Sequence, residues 1–188
     1  MNTSIPFDPC LAAANPPALA ALASTLPTSA PVLRAFGQEM TVLLSGEQTG
    51  GQFTLLLDVA PPGLGSPPHY HEREDEWFYV LAGRAAFWQE GTWQEFPVGS
   101  AVFAPRNVVH GFKNVGDTPL RLLITLTPSG FEKWFARCAA EFAGSDSADM
   151  ERIAAVAAEH GMYFPNPVGA AKILHAGTDL SFNLDLNR

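Results

Sequence analysis

The chain has 188 residues, enough for one hydrophobic core and too many to need a disulfide or a metal merely to fold. Its composition, 47% apolar and 16% charged, excludes an intrinsically disordered chain. Nineteen acidic against eleven basic residues give a net charge of −8, which excludes a general nucleic-acid binder and disfavours docking on anionic lipid.

Residues 1–31 are rich in Ala and Pro and read as an arm, with one short helix at Ala18–Ser24. No Lys or Arg precedes Arg34, and Pro6, Pro9, Pro16 and Pro17 break the chain, so it makes a poor signal peptide. No run approaches eighteen apolar residues, so no membrane span is expected, and a cytoplasmic location is. Cys10 and Cys138 are too few for a disulfide framework and read as reduced thiols.

From Pro31 to about Thr127 the pattern becomes short β-like runs between turns. Thr41–Ser45 is one. In Phe53–Val59 the residues Phe53, Leu55, Leu57 and Val59 are assigned to the apolar face, Thr54 and Asp58 to the other. Pro61-Pro62-Gly63 ends that run. Glu76–Leu81 follows and stops at Gly83. Ala85–Gln89 and Thr92–Phe96 flank Glu90-Gly91, a hairpin signal. Ser100–Ala104 ends at Pro105, and Val108–Asn114 at the Gly116-Asp117 turn. Leu120, Leu122, Ile124 and Leu126 share a face of the last run. Many short strands at this spacing predict an all-β sandwich or barrel.

The last third is helical. Ser129 and Glu132 form a capping box, and Phe131, Trp134, Phe135, Cys138 and Phe142 recur at helical spacing. That stripe is assigned to packing against the barrel. Gly144 stops the first helix. Ser147, with Asp149 and Glu151, starts a second that ends near His160-Gly161. Pro165, Pro167 and Gly169 make the tail irregular or extended. The whole chain, 1–188, is expected to be one domain, with a barrel core at about 34–127 and a helical extension at about 128–161.

Three of the five histidines fall in the β region. His69 and His71 are one residue apart, so a strand places both imidazoles on one face. Glu76 opens the next strand, and His110 comes from a later one. A curled sheet turns all four inward, and three imidazoles with one carboxylate suit a divalent first-row metal. Glu74 and Asp75 compete with Glu76; they and Glu72 are assigned to a solvated loop. His160 and His175 are assigned structural or exposed roles.

The spacing is also a signature. Gly63, five residues, His69-Tyr70-His71, four residues, Glu76, six residues, Gly83 matches the first cupin motif. Gly99, five residues, Pro105, one residue, Asn107, two residues, His110, three residues, Asn114 matches the second, with Asn107 where the family usually has Gly. Asn tolerates positive φ, so the turn should survive. Nine of ten positions agree. The sequence resembles the cupin superfamily, and more narrowly its quercetin 2,3-dioxygenase-like single-domain members. Leu43–Gly51, Pro67-Pro68-His69, Arg73–Glu76, Ala104–His110 and Pro128–Glu132 carry the narrower likeness.

The resemblance implies a jelly-roll β-barrel with His69, His71, Glu76 and His110 as ligands of one metal ion, whether Fe, Mn, Co, Ni, Cu or Zn. It implies Glu76 as catalytic base, with a small-molecule substrate and molecular oxygen as partners. Strand parity places Phe78, Val80 and Phe112 in the barrel, and Phe53, Leu55, Leu57, Leu122 and Ile124 are further wall candidates. An oxygen-independent cupin enzyme, an isomerase or decarboxylase, and a non-enzymatic ligand-binding cupin are the rival classes. Trp77, Tyr79 and Leu81 lie opposite Glu76's face. They serve either a homodimer or packing beneath the C-terminal helices.

Overall fold

The structure is a computed structural model and describes residues 29–141 and 150–165. The expectations for Ala18–Ser24, Cys10, Phe142, Gly144, Ser147, Asp149 and the tail with His175 lie outside the described residues. The strands are β1 (Val32–Ala35), β2 (Gln38–Leu44), β3 (Thr54–Ala60), β4 (Gly65–His71), β5 (Asp75–Ala82) and β6 (Ala85–Gln89). They continue as β7 (Thr92–Phe96), β8 (Ala101–Ala104), β9 (His110–Asn114) and β10 (Leu120–Thr127). Helices α1 (Glu132–Glu141) and α2 (Met150–Glu159) follow, and β11 (Met162–Tyr163) comes last.

One sheet runs β1-β2-β3-β10-β5-β8 and the other β11-β4-β9-β6-β7, all pairs antiparallel. They face each other as a jelly roll whose inner faces make the core. Leu56, Leu120, Leu122 and Leu126 are fully buried there. Each contributes on the order of 2 kcal/mol by leaving water. The β6–β7 hairpin turns through Glu90 and Gly91, both at positive φ, which matches the right-handed twist of its strands.

The phase of β3 differs from the sequence reading. Leu55-Leu56-Leu57 has no polar–apolar alternation, so sequence alone leaves its parity free, and Asp58 was assigned outward on polarity. Pairing decides otherwise. Leu56 pairs with Val42 and Ile124, and Asp58 with Met40 and Leu122, all on the inner face. Phe53, Leu55, Leu57 and Val59 lie half-buried on the other face.

The capping box is also replaced. Glu132 takes Gly46 N–H at 2.9 Å, Gly130 N–H at 2.8 Å and the Thr54 hydroxyl at 2.6 Å. Ser129 N–H donates instead to Gly51 O at 3.2 Å. The carboxylate thus clips the start of α1 to the β2–β3 loop. The approach is so close that a Cβ on Gly46 would lie 2.3 Å from Ser129 Oγ. Helix α1 packs on β1 and α2 on β11, so neither covers the outer face of β5. Trp77, Tyr79 and Leu81 stay 50%, 43% and 41% exposed. No described helix is long and apolar enough to cross a membrane.

Candidate metal centre

His69 and His71 come from the end of β4, where Pro67-Pro68 shifts the register against β9 between Ser66 and His69. Two prolines cannot donate to a ladder, so the irregularity falls there. His110 opens β9 directly opposite His69. Glu76 sits near the start of β5, opposite Ala104 of β8. The loop before His110 is tied down twice. Asn107 N–H donates to His71 O at 2.7 Å, with Asn107 at φ 65°, so the turn is kept without glycine. Arg106 binds Asp75 through its backbone at 2.9 Å and its guanidinium at 2.8 and 3.1 Å.

One donor atom from each of His69, His71, Glu76 and His110 lies within 4.8 Å of the others, and all four residues are buried. His69 Nε2 is 3.1 Å from His71 Nε2, His71 Nε2 is 3.3 Å from Glu76 Oε2, and His110 Nε2 is 2.9 Å from the same oxygen. With bonds of about 2.1 Å, adjacent ligands are about 3.0 Å apart at right angles and about 3.4 Å apart at tetrahedral angles. These separations fit one ion. The tautomers fit as well. His69 Nδ1–H donates to Pro67 O at 2.8 Å and His110 Nδ1–H to Val108 O at 2.8 Å, which frees each Nε2 lone pair. His71 Nδ1 faces the Glu74 carboxylate at 3.6 Å. Glu74 is therefore buried behind a candidate ligand, not solvated in the loop as its acidic surroundings suggested.

The charges follow from this packing. For Glu76, burial alone would raise the carboxyl, but the hydrogen bonds and charge of His110 and His71 outweigh it and hold it well below the usual carboxylate range. For His71, burial would lower the imidazole, but Glu74 and Glu76 push it up to about 9. Burial, then the charges of His110 and His71, drive His69 well below its ordinary value.

A cupin-domain family model matches residues 55–126. The oxalate-binding protein of Thermotoga maritima is 32% identical over 89 residues, covering 47% of this chain and 74% of that protein. The chain belongs to the cupin superfamily. Quercetin 2,3-dioxygenase of Bacillus subtilis is 29% identical to this cupin over 94 residues, which is 50% of this chain and 28% of that enzyme. The polyketide cyclase RemF of Streptomyces resistomycificus superimposes with a TM-score of 0.50 at 25% identity, over 58% of this chain and 81% of that one.

Three of the four candidate ligands, His69, His71 and Glu76, line an open-mouthed cavity, and His110 lies behind them. Phe78, Phe112 and Ile124 line it. Phe53, Leu55 and Leu122 do not: the first two face the other side of β3, and Leu122 is packed behind the wall. Sequence reasoning missed much of the wall. Phe36, Gln38, Met40 and Asp58 come from β2, β3 and the turn before β2; Met162 and Phe164 come from the chain after α2. The aromatic stripe of α1 does more than pack. Phe131, Trp134 and Phe135 line the cavity, and the Phe131 ring meets His71 edge-on at 4.4 Å. The stripe's helical spacing was visible, but not which barrel mouth it would close. Tyr70 points away and stacks on Tyr163 at 5.4 Å.

Proposed function

We propose that this cupin is a metal-dependent dioxygenase of the quercetinase type, acting with molecular oxygen on a flavonol or another enolic aromatic molecule. His69, His71, His110 and Glu76 hold one divalent first-row metal ion. The observation that carries the reading is a cluster of four buried donors, three of which (His69, His71 and Glu76) line a cavity walled by Phe78, Phe112, Phe131, Trp134 and Phe135. Likeness to quercetin 2,3-dioxygenase over half of the chain supports it. The bound ion supplies a Lewis acid that lowers the pKa of an enol hydroxyl. Glu76 accepts that proton on a carboxylate oxygen, since it is the ionised group among the donors. The aromatic walls orient a flat substrate and keep water from the reacting face. Both oxygen atoms of O2 end in the cleaved product.

The test is oxygen uptake with quercetin, using protein loaded in turn with Fe, Mn, Co, Ni, Cu and Zn. Uptake that disappears in metal-free protein and in Glu76→Ala supports the reading. No uptake with any of the six refutes it. A second reading has its own support: likeness to a polyketide cyclase, and a second carboxyl, Asp58, on the same wall. Glu76 and a second carboxyl elsewhere on the cavity wall can move protons at two positions of an aromatic polyketide without an oxidant. Turnover of such a compound under anaerobic conditions would move the assignment there.

A further inference from the structure

Five buried side-chain atoms among the described residues have no hydrogen-bond partner. Two, His71 Nδ1 and Glu74 Oε2, face each other beside the metal centre. The other three, Asp58 Oδ2, Gln38 Oε1 and Trp134 Nε1, all belong to residues lining the cavity. An unmet buried polar group costs about 1–3 kcal/mol, and native interiors hold few of them. Three on one cavity call for a ligand that meets them.

Their chemistry says what kind. Gln38 Nε2 already donates to Gly65 O at 3.1 Å, so Oε1 is left as an acceptor. Trp134 Nε1 can only donate. Asp58 is flanked on the sheet by Met40 and Leu122, neither of them charged. The titratable groups sharing its cavity are His69, His71 and Glu76. Burial first, then the Glu76 charge, push its carboxyl up to about 8. At neutral pH it is a carboxylic acid, able both to donate and to accept.

The position is separate from the metal centre. Asp58 pairs with Met40, and Gln38 is the next inward residue along β2, so the two are diagonal neighbours. In the same sheet, Glu76 pairs with Leu126, which pairs with Thr54. Asp58 is therefore two strands and two inward positions from Glu76.

We propose that Asp58 and Gln38 form a second polar pole of the cavity, which takes a phenolic hydroxyl of the substrate while Trp134 Nε1 donates to another of its oxygens. The substrate class is then a polyhydroxylated aromatic. This rests on the reading that the substrate docks at the metal centre. Asp58 and Gln38 are positioning residues, since they touch the end of the substrate remote from the reacting atoms.

The test is infrared spectroscopy of the zinc-loaded protein at neutral pH. The carboxylic-acid C=O band that Asp58→Asn removes belongs to Asp58; a variant that removes no such band overturns the proposal. Quercetin is expected to move that band to lower frequency. 3-Hydroxyflavone, which lacks the outer hydroxyls, is expected to bind without moving it. Asp58→Leu should lower the preference for quercetin over 3-hydroxyflavone by roughly three- to tenfold, the worth of one neutral hydrogen bond. A band unmoved while both flavonols bind, or an unchanged preference, overturns the proposal. If neither flavonol binds, the flavonol reading fails, and phenol and toluene then decide the pole. A band moved by phenol and not by toluene upholds it; a band unmoved by phenol overturns it.

Discussion

Asp58→Asn isolates the protonation of one buried carboxyl. In the folded protein the Asp58 pKa is about 8, and its ordinary value is 3.8. Between these values the folded state holds a proton that the unfolded state has released. Stability therefore falls as pH rises from about 4 to about 8, and is flat above. Each pKa unit corresponds to about 1.4 kcal/mol. From pH 4 to pH 7, three units, Asp58 costs the wild type on the order of 4 kcal/mol. Asn fills the same volume and does not titrate, so its stability curve lacks that slope. The assay is denaturant unfolding of metal-free wild type and Asp58→Asn from pH 5 to pH 8. Glu76 and the histidines titrate in both proteins and cancel to first order in the difference. The Asn variant is expected to gain on the wild type by about 1.4 kcal/mol per pH unit from about pH 5 to about pH 7, and by less as pH approaches 8. Parallel curves would refute the reasoning, because Asp58 would then be ionised in the fold.

Metal uptake should release protons. His71 is pushed up to about 9 in the metal-free protein, so near pH 7 an incoming ion displaces its proton. Apparent zinc affinity should rise about tenfold per pH unit below that value, and calorimetry in buffers of different ionisation heat should find close to one proton released. Glu74→Gln leaves the four candidate ligands in place but removes the charge behind His71. Zinc affinity should fall about 10- to 100-fold in a chelator competition, with little change in fold. Gly46→Ala puts a methyl group 2.3 Å from Ser129 Oγ and 2.7 Å from Ser129 Cβ. A loss of about 1–3 kcal/mol is expected in denaturant unfolding, and Ser129→Gly should return part of it. Phe131→Ala removes a ring buried against His71 and Trp134 and should cost about 3–5 kcal/mol of stability.

The clustering of the four candidate ligands was legible because its information is local. His69 and His71 share a face by strand parity alone, and Glu76 and His110 sit at fixed distances from turns that Gly and Asn mark. Each strand needs only its own alternation to present its ligand. Leu120–Leu126 was legible for the same reason. The cavity wall was not, because it depends on which elements meet. Phe131 and Trp134 read as core on a helix of any protein, and it takes the clip of Glu132 to Gly46 and Thr54, with the packing of α1 on β1, to bring them to the cavity. Glu74 read as one of several loop acids, since nothing in Glu72-Arg73-Glu74-Asp75 distinguishes the one that folds inward.

Asp58 was misplaced for a more general reason. Hydrophobic patterning assigns a polar residue to water because burial without a partner is unfavourable. The rule holds wherever stability decides, and here it set the phase of a whole strand the wrong way. The pairing of Leu56 with Val42 and Ile124 fixes Asp58 inside, and the folded chain by itself does not relieve the cost. A site where local consistency fails in this way is where a functional constraint is expected. The same logic gives the variant a sign that an ordinary core residue would not have. Asp58→Leu replaces an unpaired carboxyl with an apolar side chain of similar size, so at pH 8 it should stabilise the protein while weakening its hold on a polyhydroxylated ligand. A thermal melt of the two proteins with and without quercetin reads both effects. A variant less stable than wild type at that pH would mean Asp58 meets a need of the fold, and its place on the wall would then carry no message about the substrate.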